Sequence, residues 1–138
     1  MIVIDTNVLS EPMRPRPDRR LLAWLDANAG ALWTSAVTVQ EIVFGIQRLK
    51  DGTRRELVRR NFESAFSALI GSRVLALDEA AARLAGAIAA QRANDGRPIA
   101  SADAQIAAIA QSNAASLATR NVSDFADIGL ALINPWES

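Results

Sequence analysis

Asp5, Glu41, Asp103 and Asp124 each stand where one predicted element gives way to the next. Asp5 ends an apolar run, Ile2-Val3-Ile4. Glu41 lies early in a predicted helix, Asp103 in the first turn of another, and Asp124 in the loop Thr119-Arg120-Asn121-Val122-Ser123-Asp124-Phe125. Carboxylates unaided by imidazole or thiolate are hard oxygen donors, which suit Mg²⁺ or Mn²⁺. Brought within several ångströms of one another, they repel and raise each other's pKa unless a cation intervenes. Such a group can hold one or two ions for phosphoryl chemistry, with water as the nucleophile. Thr6, Asn7, Ser101, Thr119 and Asn121 flank the acids with short polar side chains.

The missing residue types narrow the chemistry. There is no Cys, His or Tyr. That excludes a disulfide framework, a thiolate nucleophile, a Cys-rich zinc site and a Ser-His-Asp triad. The 138 residues carry 15 basic and 15 acidic side chains, a formal net charge of zero. Bulk electrostatics therefore does not draw this chain to nucleic acid, although a local basic patch can. Lys50 is the only lysine. Arg14, Arg16, Arg19 and Arg20 form one basic cluster, and Arg54, Arg55, Arg59 and Arg60 another; both read first as solvated surface. Arg120 is the base nearest the acidic loop. No apolar run is long enough to span a membrane and the start lacks a basic leader, so a cytoplasmic protein is expected.

These side chains need elements to position them. A β-branched run at 2–4 predicts a strand buried on both faces. Further strands are expected at Ala31–Trp33, Val74–Leu77, Leu117–Ala118 and Ala131–Ile133. Between them fall helical patterns: one after Asp18, one over Val37–Leu49 with a stripe of Val39, Ile42, Val43, Ile46 and Leu49, and one from Thr53 to about Leu69. An Ala-rich helix capped by Asp78 and another opened by Ser101 complete the set. Alternating strands and helices predict an α/β fold, a three-layer α/β/α sandwich on a five-stranded parallel sheet, as one domain over 1–138. In such a sheet, strand ends and helix N-termini can converge on one edge.

Each acid also has an ordinary structural reading. Asp5 can cap a helix, Glu41 can be a solvated surface residue, Asp103 can complement a helix dipole, and Asp124 can hold a turn. Thr6, Ser101 and Thr119 can all be caps. In combination the segments Ile2–Ser10, Thr34–Glu41, Ala102–Ala107 and Thr119–Phe125 resemble, in order and spacing, the motifs of PIN-domain ribonucleases. The closing Asn134-Pro135-Trp136 is similar to the FitB/VapC branch, the toxin halves of type II toxin–antitoxin pairs.

The resemblance implies that Asp5, Glu41 and Asp103 match the family's acidic triad. The fourth position varies in the family between the places of Asn121 and Asp124; Asp124 is favoured here, with Asn121 and Thr119 in support. It implies a metal-dependent endoribonuclease using one or two Mg²⁺ or Mn²⁺ ions. Its partners would be an RNA substrate, a second copy of the chain and a VapB/FitA-like antitoxin, which alone would contact operator DNA. Apolar helices near 37–66 are candidates for self-association. The alternative is a PIN-like module that binds RNA or a partner without cutting. A dehalogenase-like phosphatase would want Asp where Asn7 stands, a receiver domain would want a lysine later than Lys50, and no glycine-rich phosphate loop is present.

Overall fold

Val3 and Ile4, both fully buried, point into different apolar clusters, as successive residues of a strand covered on both faces must. They belong to β1 (Ile2–Ile4) in the computed structural model, which describes residues 1–137. Leu117 and Ala118 of the neighbouring strand divide in the same way.

The sheet is parallel and five-stranded, in the order β3-β2-β1-β4-β5. The other strands are β2 (Leu32–Ser35), β3 (Val74–Leu75), β4 (Ser116–Ala118) and β5 (Leu132–Ile133). Val3 is paired with Trp33 on one side and Leu117 on the other. The chain therefore builds outward from β1 through β2 and β3, then returns to β1's free side with β4. Open parallel sheets bind ligands in the crevice beyond the strand ends at such a reversal. Asp5 and Thr119 are the first residues past β1 and β4, and the Asp5 N–H is held by the Ala118 carbonyl at 2.9 Å.

The helices are α1 (Thr6–Ser10), α2 (Arg19–Ala27), α3 (Ala36–Gln47), α4 (Thr53–Leu69), α5 (Glu79–Asn94) and α6 (Ser101–Ser112). Short 3₁₀ turns cover Glu11–Met13 and Val122–Phe125. Helices α5 and α6 pack along each other on the Val3 face, where Ala81, Ala85, Ala104 and Ala107 let the two backbones approach. On the Ile4 face, Leu21, Leu25, Phe62 and Ile70 close the second cluster. The α3 helix serves both, through Val37 on one side and Ile42 and Ile46 on the other.

Several boundaries differ from the sequence reading. β3 stops at Leu75 because its partner β2 ends at Ser35, where α3 begins; Ala76 and Leu77 have no ladder to join. β2 runs Leu32–Ser35, later than Ala31–Trp33, and β5 lacks Ala131. Thr53 does not cap α4: Gly52 occupies that position at φ 144°, with no side-chain cap bond. Val43, expected in the apolar stripe of α3, faces solvent. Glu11 is buried; its Oε2 accepts from the Asp18 N–H at 2.9 Å and fixes the proline-containing loop against the start of α2.

Candidate acidic site at the β1/β4 crevice

Asp5 is both a helix cap and the centre of a polar network. Its Oδ1 accepts from the Thr6 N–H at 2.7 Å as α1 begins, and its Oδ2 accepts from the Thr119 hydroxyl at 2.9 Å. Thr119 in turn accepts at Oγ1 from the Asn121 N–H at 3.1 Å. Asn7 reaches Asp5 Oδ2 only at 3.5 Å, while its Oδ1 accepts from the Arg120 N–H at 3.3 Å. Asp5 is only 5% exposed, and burial pushes its carboxyl up from the ordinary value. The Thr6 and Thr119 bonds pull it down, and the charges of Glu41 and Asp124 raise it again.

Glu41 enters from α3. Ser35 caps that helix, its Oγ accepting from the Thr38 N–H at 3.0 Å. Three residues after Thr38, on the same helix face, Glu41 accepts at Oε1 from the Thr6 hydroxyl at 2.7 Å. Thr6, read as a possible cap, therefore links the ends of β1 and α3 instead.

Asp103 lies in the first turn of α6. Its carboxyl is pushed up to about 6, first by burial and then by the charges of Asp5, Glu41 and Asp124. Asp124 enters from the 3₁₀ turn after β4, and it lines a cavity of about 240 Å³ with Asp103, Arg92, Pro98, Ile99 and Ala100. The fold thus brings Asp5, Glu41, Asp103 and Asp124 close enough to feel one another's charge. Among the described residues, however, no three acidic side chains are gathered tightly enough to hold an ion as they stand. The donor chemistry still fits a divalent cation: hard oxygens, whose mutual repulsion a cation would relieve.

The supporting residues fare unequally. Ser101 does not cap α6; Ala100 holds that position, without a side-chain bond, and exposed Ser101 borders a groove with Glu41, Gln40, Phe44 and Gln105. Asn121 contributes its backbone N–H to Thr119, where an amide side chain had been expected to help.

Arg92 was not picked out from the sequence. It is 8% exposed on α5, donating Nε to the Arg97 carbonyl at 2.8 Å and Nη1 to the Asp124 carbonyl at 3.0 Å. It therefore ties the turn before α6 to the turn that carries Asp124. Its only sequence trace is a basic residue late in an Ala-rich helix, which reads first as favourable to the helix dipole.

The chain is similar to known proteins in both sequence and fold. The PIN domain family model matches residues 2–130. The chain is 41% identical over 138 residues to the VapC ribonuclease Y4jK of Sinorhizobium fredii, covering 99% of each. It is 36% identical to the Toxin FitB of Neisseria gonorrhoeae, again over 99% of each. The solved structure of FitAB bound to an IR36 DNA fragment superposes with a TM-score of 0.89 at 36% identity, covering 99% of this chain and 96% of that one.

Proposed function

The chain belongs to the PIN-domain family, and from that premise we propose that it is a metal-dependent endoribonuclease, the toxin of a type II toxin–antitoxin pair. The observation that carries the reading is the convergence of Asp5, Glu41, Asp103 and Asp124 at the β1/β4 reversal, where the carboxyls of Asp5 and Asp103, raised first by burial, are raised further by the charges of the other acids. Relatives that match it over nearly their whole length are a VapC ribonuclease and a FitB toxin, which supports both parts of the reading.

Asp5, Glu41, Asp103 and Asp124 would hold Mg²⁺ or Mn²⁺. A divalent ion there supplies charge stabilisation at the phosphoryl oxygens and a more acidic water. The protein's own part is orientation. Thr119 and the Thr6 N–H fix the two oxygens of Asp5, the Thr6 hydroxyl fixes Glu41, and Arg92 fixes the backbone beneath Asp124. Such supporting bonds hold ligating oxygens in one rotamer and are themselves worth a substantial part of metal affinity.

A toxin of this class requires a protein that silences it. We assign that role to a VapB/FitA-like antitoxin, with operator DNA bound through the antitoxin, as FitAB with DNA suggests. Self-association would use the stretch at 37–66, where Val43, Phe44 and Leu57 expose apolar surface. No helix among the described residues is long and apolar enough to cross a membrane. The test is direct: purified protein should cut single-stranded RNA with Mg²⁺ or Mn²⁺, lose the activity in EDTA and regain it when the ion is restored. RNA binding without cleavage under all these conditions would establish the non-catalytic alternative.

A further inference from the structure

Most of the arginines with a described partner are already engaged by an acid or buried. Arg59 and Arg60 face Glu56, Arg55 faces Asp51, Arg83 faces Glu79, Arg97 faces Asp127 and Arg14 faces Glu11. Arg92 is buried under carbonyls. Arg120 differs from all of these. It is exposed, follows directly on Thr119 at the end of β4, and forms no ion pair with a described carboxylate. Its guanidinium carbon lies over the Trp136 ring, 5.0 Å from the centroid.

Both ends of that contact are anchored. The Arg120 N–H is held by Asn7 Oδ1, and the next residue back donates to Asp5. Trp136 packs, half-buried, against the Ile4-face cluster, and its N–H is held by Asn134 Oδ1 at 3.0 Å. A second arginine, Arg20, donates Nη1 to the Trp136 carbonyl at 3.1 Å. A guanidinium stacked on an aromatic ring keeps its N–H edge free in one plane, the geometry that suits a phosphate. A cationic edge beside a carboxylate crevice also answers a problem the crevice creates, since four acids repel a polyanion.

We infer that Arg120, laid over Trp136, is the RNA phosphate grip of this chain, seating the backbone next to the nucleotide presented to Asp5. The inference rests on the ribonuclease reading above. Arg20 adds positive charge at the same edge. Trp136 serves as the floor that holds the guanidinium flat.

The test uses the full chain and a short labelled single-stranded RNA, with binding measured in Ca²⁺ over a salt series and cleavage in Mn²⁺. Arg120→Gln keeps the backbone bond to Asn7 and removes the charge. It should weaken binding roughly tenfold, the size of one charge-assisted contact, and lower the slope of log Kd against log salt by about one. KM should rise while kcat holds. Arg120→Lys should restore the salt slope but only part of the affinity, because an ammonium does not stack as a plane. Trp136→Leu should resemble Arg120→Gln, with thermal melting as the check on folding, and Arg83→Gln, at the exposed ion pair with Glu79 on α5, should bind as the wild type does. If the wild type binds and cuts RNA and Arg120→Gln matches it in Kd, salt slope and KM, the phosphate grip is wrong and the nuclease reading stands. A fall in kcat alone, with binding and slope unchanged, would also overturn it. If the wild type neither binds nor cuts RNA, both fail together.

Discussion

Thr119 donates its hydroxyl proton to Asp5 Oδ2 at 2.9 Å, joining the ends of two adjacent strands that are 114 positions apart in the chain. The bond is buried, and Thr119 Oγ1 itself accepts from the Asn121 N–H. Thr119→Val keeps the shape, removes the hydroxyl and leaves that N–H without its acceptor. Cleavage or metal affinity should fall roughly 10–100-fold, the cost typical of losing a residue that orients a metal ligand. A Mn²⁺ titration of cleavage rate checks this, and an unchanged midpoint and rate would refute the role.

Asp5→Asn separates chemistry from folding. The amide oxygen can still accept from the Thr6 N–H, and the substitution removes a buried charge whose carboxyl is raised chiefly by desolvation. The variant should lose RNA cleavage by more than the roughly 100-fold expected of a supporting residue. Its Tm in EDTA should equal or exceed that of the wild type. Cleavage at the wild-type rate would remove Asp5 from the site.

The acids also predict how stability varies with pH. Asp103 sits at about 6 in the folded chain, above its ordinary 3.8, and Asp5 is raised as well. Between those values the folded state binds more protons than the unfolded one. Stability is therefore greater on the acid side of the window and falls as pH rises through about 6. Without metal, Tm should be higher near pH 5 than near pH 7.5 (about two and a half units apart), and Asp103→Asn should flatten the difference. Mn²⁺ should reduce it too, by stabilising the charged forms that dominate at the higher pH. A metal-free Tm that climbs steadily from pH 5 to 7.5 would contradict the sign.

Arg92→Leu tests the tie between α5 and the Asp124 turn. It removes donors to the Arg97 and Asp124 carbonyls, leaving partly buried acceptors unpaired. Each such loss costs about 1–3 kcal/mol, so urea unfolding should show a loss of a few kcal/mol. Activity should drop as well, because the backbone under Asp124 is released, and Asp124→Asn in the same background should add little further loss of cleavage. Full additivity of the two substitutions would show that Arg92 does not act through Asp124.

Local signals explain what the sequence revealed. The Ile2–Ile4 run followed by Asp5 marks a buried strand with a polar end, and Asp103 marks a helix's first turn, because both depend on neighbours in the chain. The partnerships do not. Thr119 meets Asp5 only because β4 returns to lie beside β1, and nothing near residue 119 states which strand will be next to it. Arg92 is hidden for the same reason, since its acceptors belong to later turns. Ser101 does open α6, as its sequence context indicates, but the cap position one residue earlier belongs to Ala100, a register that serine alone does not fix. The shortened β3 follows from the end of its partner β2, a tertiary fact.

The strand order also sets when the site can exist during synthesis. Asp5 is made well before β4, yet β1 gains its β4 neighbour only after Ala118, and the Asp124 turn follows later still. On the ribosome the chain carries its first acid long before the residues that would complete the group. A site built on these four acids therefore cannot assemble until the chain through Asp124 has been made and β4 has paired with β1.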